Sequence, residues 1–195
     1  SGSLATISCL SFDPTKNFNN YGNGGMVLTD DVNLNKDIMS MRDNGKQSFH
    51  TEPGTNSRMS DVDCAQMMVK LKYFATWQGR RKQIAEYYDK ELSHTDLQLI
   101  RYSSDVEPAY SKYVIQLDER HALISHLNRS RIGTKITYEY SLPSLPVVRH
   151  SVNPQEYTQA SRHVRRCLSL PIYPELTDAE VEYIANSVRL FQNTA

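Results

Sequence analysis

Ser11-Phe12-Asp13-Pro14-Thr15-Lys16-Asn17-Phe18-Asn19-Asn20-Tyr21-Gly22-Asn23-Gly24-Gly25 sits between two apolar runs, Leu4 to Phe12 and Met26-Val27-Leu28. Strand, polar loop, strand is the reading of that pattern. Glycines at 22, 24 and 25 allow positive φ or a close backbone approach. Lys16 follows the first strand directly, where a scaffold can aim one side chain into a cleft. Three roles are open to it from the residues alone. A neutral amine can form a Schiff base with a carbonyl. An ammonium can bind phosphate as a point charge. A solvated surface lysine is the plain alternative.

Two further segments narrow the choice. Gly54-Thr55-Asn56-Ser57-Arg58-Met59-Ser60 precedes a long helical pattern, and Leu168-Ser169-Leu170-Pro171-Ile172-Tyr173-Pro174-Glu175-Leu176-Thr177 lies near the end. Together with Ser-Phe-x-Pro-Thr-Lys-Asn and Tyr-Gly-x-Gly-Gly-Met-Val, they resemble the DegT/DnrJ/EryC1/StrS family of pyridoxal-phosphate-dependent sugar aminotransferases. The resemblance implies an α/β chain, the C-terminal part of an aspartate-aminotransferase-like (fold type I) enzyme. It implies that Lys16 carries pyridoxal 5'-phosphate and that Ser11 contacts its phosphate. It also implies that Asn56 reaches the phosphate of the neighbouring subunit, in a homodimer with a shared site. Arg58 and Tyr138 are the implied substrate-side residues. Two departures stand out: Asn23 replaces the usual acidic residue between the glycines, and Thr137 precedes Tyr138 where relatives often have histidine.

The reaction so implied moves an amino group, from glutamate, to a keto group of a nucleotide-linked deoxysugar, as in polysaccharide biosynthesis. A sugar dehydratase of the same superfamily would carry histidine where this chain has Lys16. The resemblance covers essentially the whole chain but only the C-terminal half of a family member. Residues 1–59 are then a remnant of the large cofactor-binding domain, 60–95 a linking helix region, and 96–195 a small α/β domain. The expected consequence is an isolated chain that catalyses nothing and self-associates through its exposed half-sheet.

Composition sets the remaining limits. The 195 residues carry 22 basic and 22 acidic side chains, for a net charge of zero. That balance gives no attraction to nucleic acid or an anionic membrane. No apolar run reaches bilayer length. Cys9, Cys64 and Cys167 are far apart and odd in number, which reads as reduced, buried thiols in a cytoplasmic protein. The histidines lack ligand spacing, so no metal is expected.

Periodicity supplies the other elements. Asp30 or Asp31 caps a helix through Leu34, Ile38 and Met41, closed by Asn44-Gly45. A polar loop follows, through Pro53-Gly54. From 61 to about 92 a helix is expected, with Val62, Ala65, Val69 and Tyr73 inward, then Ile84, Tyr88 and Leu92. Gly79-Arg80-Arg81-Lys82 reads as a kink with a solvated basic face. Strands are expected at 97–102, 113–117, 132–138 and 168–171. Helices are expected at 121–128, with Ala122, Leu123 and Leu127 inward, and at 154–167. Thr177 to Glu180 is a capping box for a last helix.

Overall fold

The computed structural model describes residues 4–46, 49–50, 52–148 and 150–194. Loop positions 47, 48 and 51, expected within the polar stretch before Gly54, lie outside the described residues. The chain divides into two compact units, residues 1–75 and 76–195, with the division falling inside one helix.

In the first unit, β1 (Ser8–Ser11) and β2 (Gly25–Leu28) pair antiparallel, Ser11 opposite Gly25. The Lys16 loop is therefore the connection of a hairpin. Helix α1 (Val32–Arg42) starts at Asp31, whose Oδ1 accepts from the amides of Asn33 and Leu34. Residues 44 and 45 both take positive φ past its end. Gly45 allows this, and a Cβ there would sit 1.6 Å from the Glu52 carbonyl oxygen. Gly54 packs back on the same turn, since its Cβ would lie 2.1 Å from the Gly45 nitrogen. Helix α2 (Asp61–Glu91) runs unbroken through Gly79. Glycine removes no backbone donor, so one residue costs propensity without forcing a kink.

The expected inner face of α2 is correct only beyond the division. Ile84, Tyr88 and Leu92 are buried, whereas Val62 is 80% exposed and Val69 and Tyr73 more than half exposed. In the first unit the inward stripe lies one residue over, through Asp63, Gln66, Met67, Lys70 and Phe74. Apolar spacing misses it because polar side chains answer the polar groups of a loop.

In the second unit β3 (Gln98–Leu99), β4 (Tyr113–Gln116) and β5 (Cys167–Leu170) form an antiparallel sheet with β4 in the middle. Tyr113 and Ile115 face the core, as alternation predicts. Helix α3 (Arg120–Arg129) buries Leu123 and Leu127, but Ala122 faces outward. The strand expected at 132–138 is absent. The segment leaves α3 through Arg131, at a φ of 58°, and pairs with the free edge of β5 at a single bridge, where Lys135 and Ser169 exchange backbone hydrogen bonds. The helix expected over 154–167 is shorter. A 3-10 turn (Pro154–Glu156) precedes α4 (Thr158–Arg166), and Cys167 already belongs to β5. Helix α5 (Asp178–Thr194) has the capping box: Thr177 donates its amide to Glu180 Oε2, and Glu180 donates its amide to Thr177 Oγ1.

The basic run of α2 is not a solvated face. Arg81 Nη1 donates to the Ile172 carbonyl at 2.6 Å. Arg80 Nη2 donates to the Leu176 carbonyl at 2.6 Å and pairs with Asp178 at 2.8 Å. Segment 171–177 has no strand or helix to absorb its carbonyls, so guanidinium groups supply the donors. Lys82 remains exposed.

Cys167 is buried, but Cys9 and Cys64 are exposed, against expectation. Among the described residues, no helix is long and apolar enough to cross a membrane.

Candidate functional site

The hairpin loop is a tightly bonded structure. Phe12 donates its amide to Gly24 O, and Asn20 donates its amide to Phe12 O, both at 2.8 Å. Lys16 closes a turn by donating its amide to Asp13 O at 2.9 Å. The Asp13 carboxylate accepts from the Thr15 amide at 2.8 Å and from the Thr15 hydroxyl. These bonds, with a lesser contribution from the Lys16 charge, hold its pKa below the usual carboxylate range. Ser11 Oγ accepts from the Asp13 amide at 3.3 Å, which leaves its own proton to donate outward. The Lys16 side chain is exposed.

Underneath, Asn20 is only 1% exposed. Its Oδ1 accepts from the Tyr21 amide at 2.8 Å and from Gln66 Nε2 at 2.5 Å. The Asp63 carboxylate accepts from Ser60 Oγ and from the Asn20 carboxamide, in that order of effect, and its pKa falls. Lys70 Nζ donates to Asn19 O at 2.9 Å and to Asn19 Oδ1 at 3.0 Å, and lies 4.6 Å from the Tyr21 ring centre. Phe18 stacks between Phe12 and Phe74.

The segment carrying Asn56 and Arg58 joins the same unit. Thr55 donates its amide to Met41 O, and Ser57 to Arg42 O, so the end of α1 pins both sides of Asn56. Arg58 lies 4.0 Å from Asp43, with both side chains well exposed, a pair of small energetic weight. Met59 packs on the glycine turn: a Cβ on Gly24 would lie 3.3 Å from Met59 Sδ. Segments 11–25 and 54–60, separate in sequence, therefore meet. Tyr138 lies in the second unit and is 75% exposed.

A cavity of about 830 Å³ opens between the hairpin, α1 and the first turns of α2. Arg58 lines it, but Lys16, Ser11 and Asn56 do not. Its wall contains every methionine of the chain and two of the three cysteines, Cys9 and Cys64. Among the described residues, no three His, Cys, Asp or Glu side chains gather to hold a metal ion.

The sequence profile of the DegT/DnrJ/EryC1/StrS aminotransferase family matches residues 1–189. The chain belongs to this family. It is 30% identical over 191 residues to the UDP-N-acetyl-3-dehydro-alpha-D-glucosamine 3-aminotransferase of Acidithiobacillus ferrooxidans, covering 96% of the chain and 51% of that relative. It is 29% identical over 192 residues to the dTDP-3-amino-3,4,6-trideoxy-alpha-D-glucose transaminase of Streptomyces venezuelae, covering 96% and 51%. The crystal structure of S. venezuelae DesV superposes with a TM-score of 0.93 at 28% identity, covering 98% of this chain and 53% of DesV. A family aminotransferase from Brucella abortus gives 0.90 at 27% identity, covering 96% and 51%. The chain spans about half the length of the relatives it matches, with the mixed α/β fold of the corresponding part.

Within this family setting the donor set fits part of a pyridoxal phosphate site. A primary amine suits an aldehyde, and the outward proton of Ser11 suits a phosphate oxygen. The grip from Asp63, Gln66 and Lys70 escaped the sequence reading. Its signal was the i, i+3, i+7 spacing of polar residues on one helix face.

Proposed function

We propose that the chain is the part of a nucleotide-sugar aminotransferase that carries the cofactor lysine, acting in the cytoplasm as a homodimer with a shared site. The supporting observation is Lys16 itself, exposed on a loop that hydrogen bonds hold rigid from both ends. Residues 1–59 belong, on this reading, to the cofactor-binding domain, 60–95 to the link, and 96–195 to the small domain. Pyridoxal phosphate, when bound, supplies an electron sink for the carbon that loses a proton. Lys16 Nζ would hold the group, and as a free amine it would take up a proton and give it back during the transfer. Ser11 Oγ donates to a phosphate oxygen. Asn56 donates to the phosphate of the partner subunit. Arg58 supplies positive charge beside an anionic substrate, and Tyr138 a hydroxyl. Glutamate is the amino donor, and a keto group on a nucleotide-linked deoxysugar is the acceptor. The test is borohydride reduction of the chain after incubation with pyridoxal phosphate, with peptide mapping. Cofactor fixed at Lys16 in the parent, and lost in Lys16→Ala, is expected; persistence in the variant rejects the assignment.

A second reading has its own observation. The apolar cavity and the hairpin above it leave Met26, Val27, Met41 and Met68 about half exposed or more. A two-stranded hairpin with an uncovered face is a poor stopping point for folding. On this reading the 195-residue chain is catalytically silent and covers that face by self-association. Sedimentation paired with cofactor titration separates the two. A monomer that binds pyridoxal phosphate and turns over glutamate excludes the silent reading.

A further inference from the structure

Lys16 has no rigid element of its own. It rides on residues 12–24, and that loop is fastened from below. One stripe of α2 does the fastening: Asp63, Gln66, Lys70 and Phe74 recur at helical spacing and each meets residues 18–20. Asn20 is the centre of the attachment. It is buried, and its backbone and carboxamide connect Phe12, Tyr21, Asn23 and Gln66. Lys70 adds a charge-assisted bond to Asn19 O, and Asn19 Nδ2 donates in turn to Pro14 O at 2.8 Å, two residues before Lys16. A continuous chain of hydrogen bonds thus runs from α2 to the turn that presents the amine.

We propose that Gln66 and Lys70 are positioning residues for Lys16, fixing the loop through Asn20 and Asn19 so that its amine meets an aldehyde in one geometry. A nucleophile gains rate from being held near its reacting atom, and a loop tethered to a helix loses less order than a free one. The stripe's polarity follows. An apolar residue at 66 or 70 would leave the buried Asn20 carbonyl oxygen or the Asn19 carbonyl short of a donor. The inference rests on the reading of Lys16 as the cofactor lysine.

The experiment uses the 195-residue chain and its Gln66→Leu, Lys70→Met, Lys70→Arg and Lys82→Met variants. Two quantities are read on each. One is amide hydrogen exchange at Asn20 and Tyr21, with the amides of α1 reporting that the unit remains folded. The other is the fraction of Lys16 fixed by borohydride after incubation with pyridoxal phosphate, relative to the exposed Lys72. Gln66→Leu and Lys70→Met are expected to speed exchange at Asn20 and Tyr21 roughly tenfold, the loss of one hydrogen bond to a charged or buried group. Labelling at Lys16 should fall while Lys72 is unchanged. Lys70→Arg, which keeps donor and charge, should restore both, and Lys82→Met should alter neither. Unchanged exchange overturns the tether. Faster exchange with undiminished Lys16 labelling overturns positioning and leaves a structural bond only. If Lys16 of the parent chain is labelled no better than Lys72, the cofactor reading fails, and the tether is judged on exchange alone.

Discussion

Tyr88 and Tyr113 are the two largest polar-tipped side chains buried in the second unit. Their rings stack at 5.0 Å; Tyr88 donates to Pro171 O at 3.0 Å and Tyr113 to Asp89 Oδ1 at 2.8 Å. Burial raises both pKa values well above the ordinary 10, and the Asp89 hydrogen bond adds to the effect at Tyr113. The folded chain therefore keeps two protons that the unfolded chain loses above pH 10. Their stabilising effect is complete below pH 10 and is lost as pH climbs toward the folded values. The expected loss is about 1.4 kcal/mol per pH unit for each tyrosine. Denaturant midpoints measured from pH 8 to 11.5 should show the decline, and Tyr88→Phe should make its slope shallower; an unchanged slope rejects the account. Asp63 works in the other direction. Its pKa is lowered by Ser60 and Asn20, so its contribution is present at neutral pH and fades as pH falls through the folded value. Asp63→Asn should flatten the acid side of loop exchange at Asn20.

Helix α2 shows what an element adds beyond its residues. Its C-terminal part holds segment 171–178 through Arg80 and Arg81. Removing a hydrogen bond from a charged donor to a buried carbonyl costs about 1.5–3 kcal/mol, so Arg81→Met should lower unfolding stability by that amount. Lys82→Met should stay within about 0.5 kcal/mol. Equal effects at the two positions, read by urea melts, would exclude the clasp. Helix ends were legible in the sequence because their signals are local: Asp31, Gly45 and the Thr177–Glu180 box each act within four residues. The buried stripe of α5 is of the same kind: Val181, Ile184 and Val188 stand three and four residues apart and pack against other apolar groups. The first turns of α2 and the arginine run were not legible. There the partner is a loop or an irregular segment far along the chain, and its orphan carbonyls, absent from any local pattern, decide which side chains turn inward. Lys16, Ser11, Asn56, Arg58 and Tyr138 were chosen by motif. The structure brings the first four into one unit and leaves Tyr138 in the other.

Across the whole molecule the core is unevenly shared. Of the buried apolar side chains among the described residues, only Phe12 and Met67 precede residue 76. A unit with so little buried apolar surface has few contacts to resist opening, whatever its hydrogen bonds. The first unit should therefore open more readily than the second. Brief proteolysis should cut first within the first unit and leave a resistant product that retains β4, β5 and α5. Uniform resistance along the chain would contradict this. Thiol reagents should reach Cys9 and Cys64 in the native chain and Cys167 only after unfolding, because Cys167 is fully buried. Protection of Cys9 and Cys64 at high chain concentration, released on dilution, is what self-association over the cavity predicts.

That cavity gathers eight of the chain's nine sulfur atoms. Thioethers and thiols make an apolar, adaptable wall, and they are also the side chains most readily changed by peroxide. Each sulfoxide formed there would turn a greasy surface into a polar, chiral one. Oxidation would thus act on one face of the protein while sparing the second unit, whose single sulfur is buried. Self-association over that face, as the second reading has it, would also shield those sulfur atoms, and peroxide treatment at low and high chain concentration would show it as a difference in sulfoxide yield.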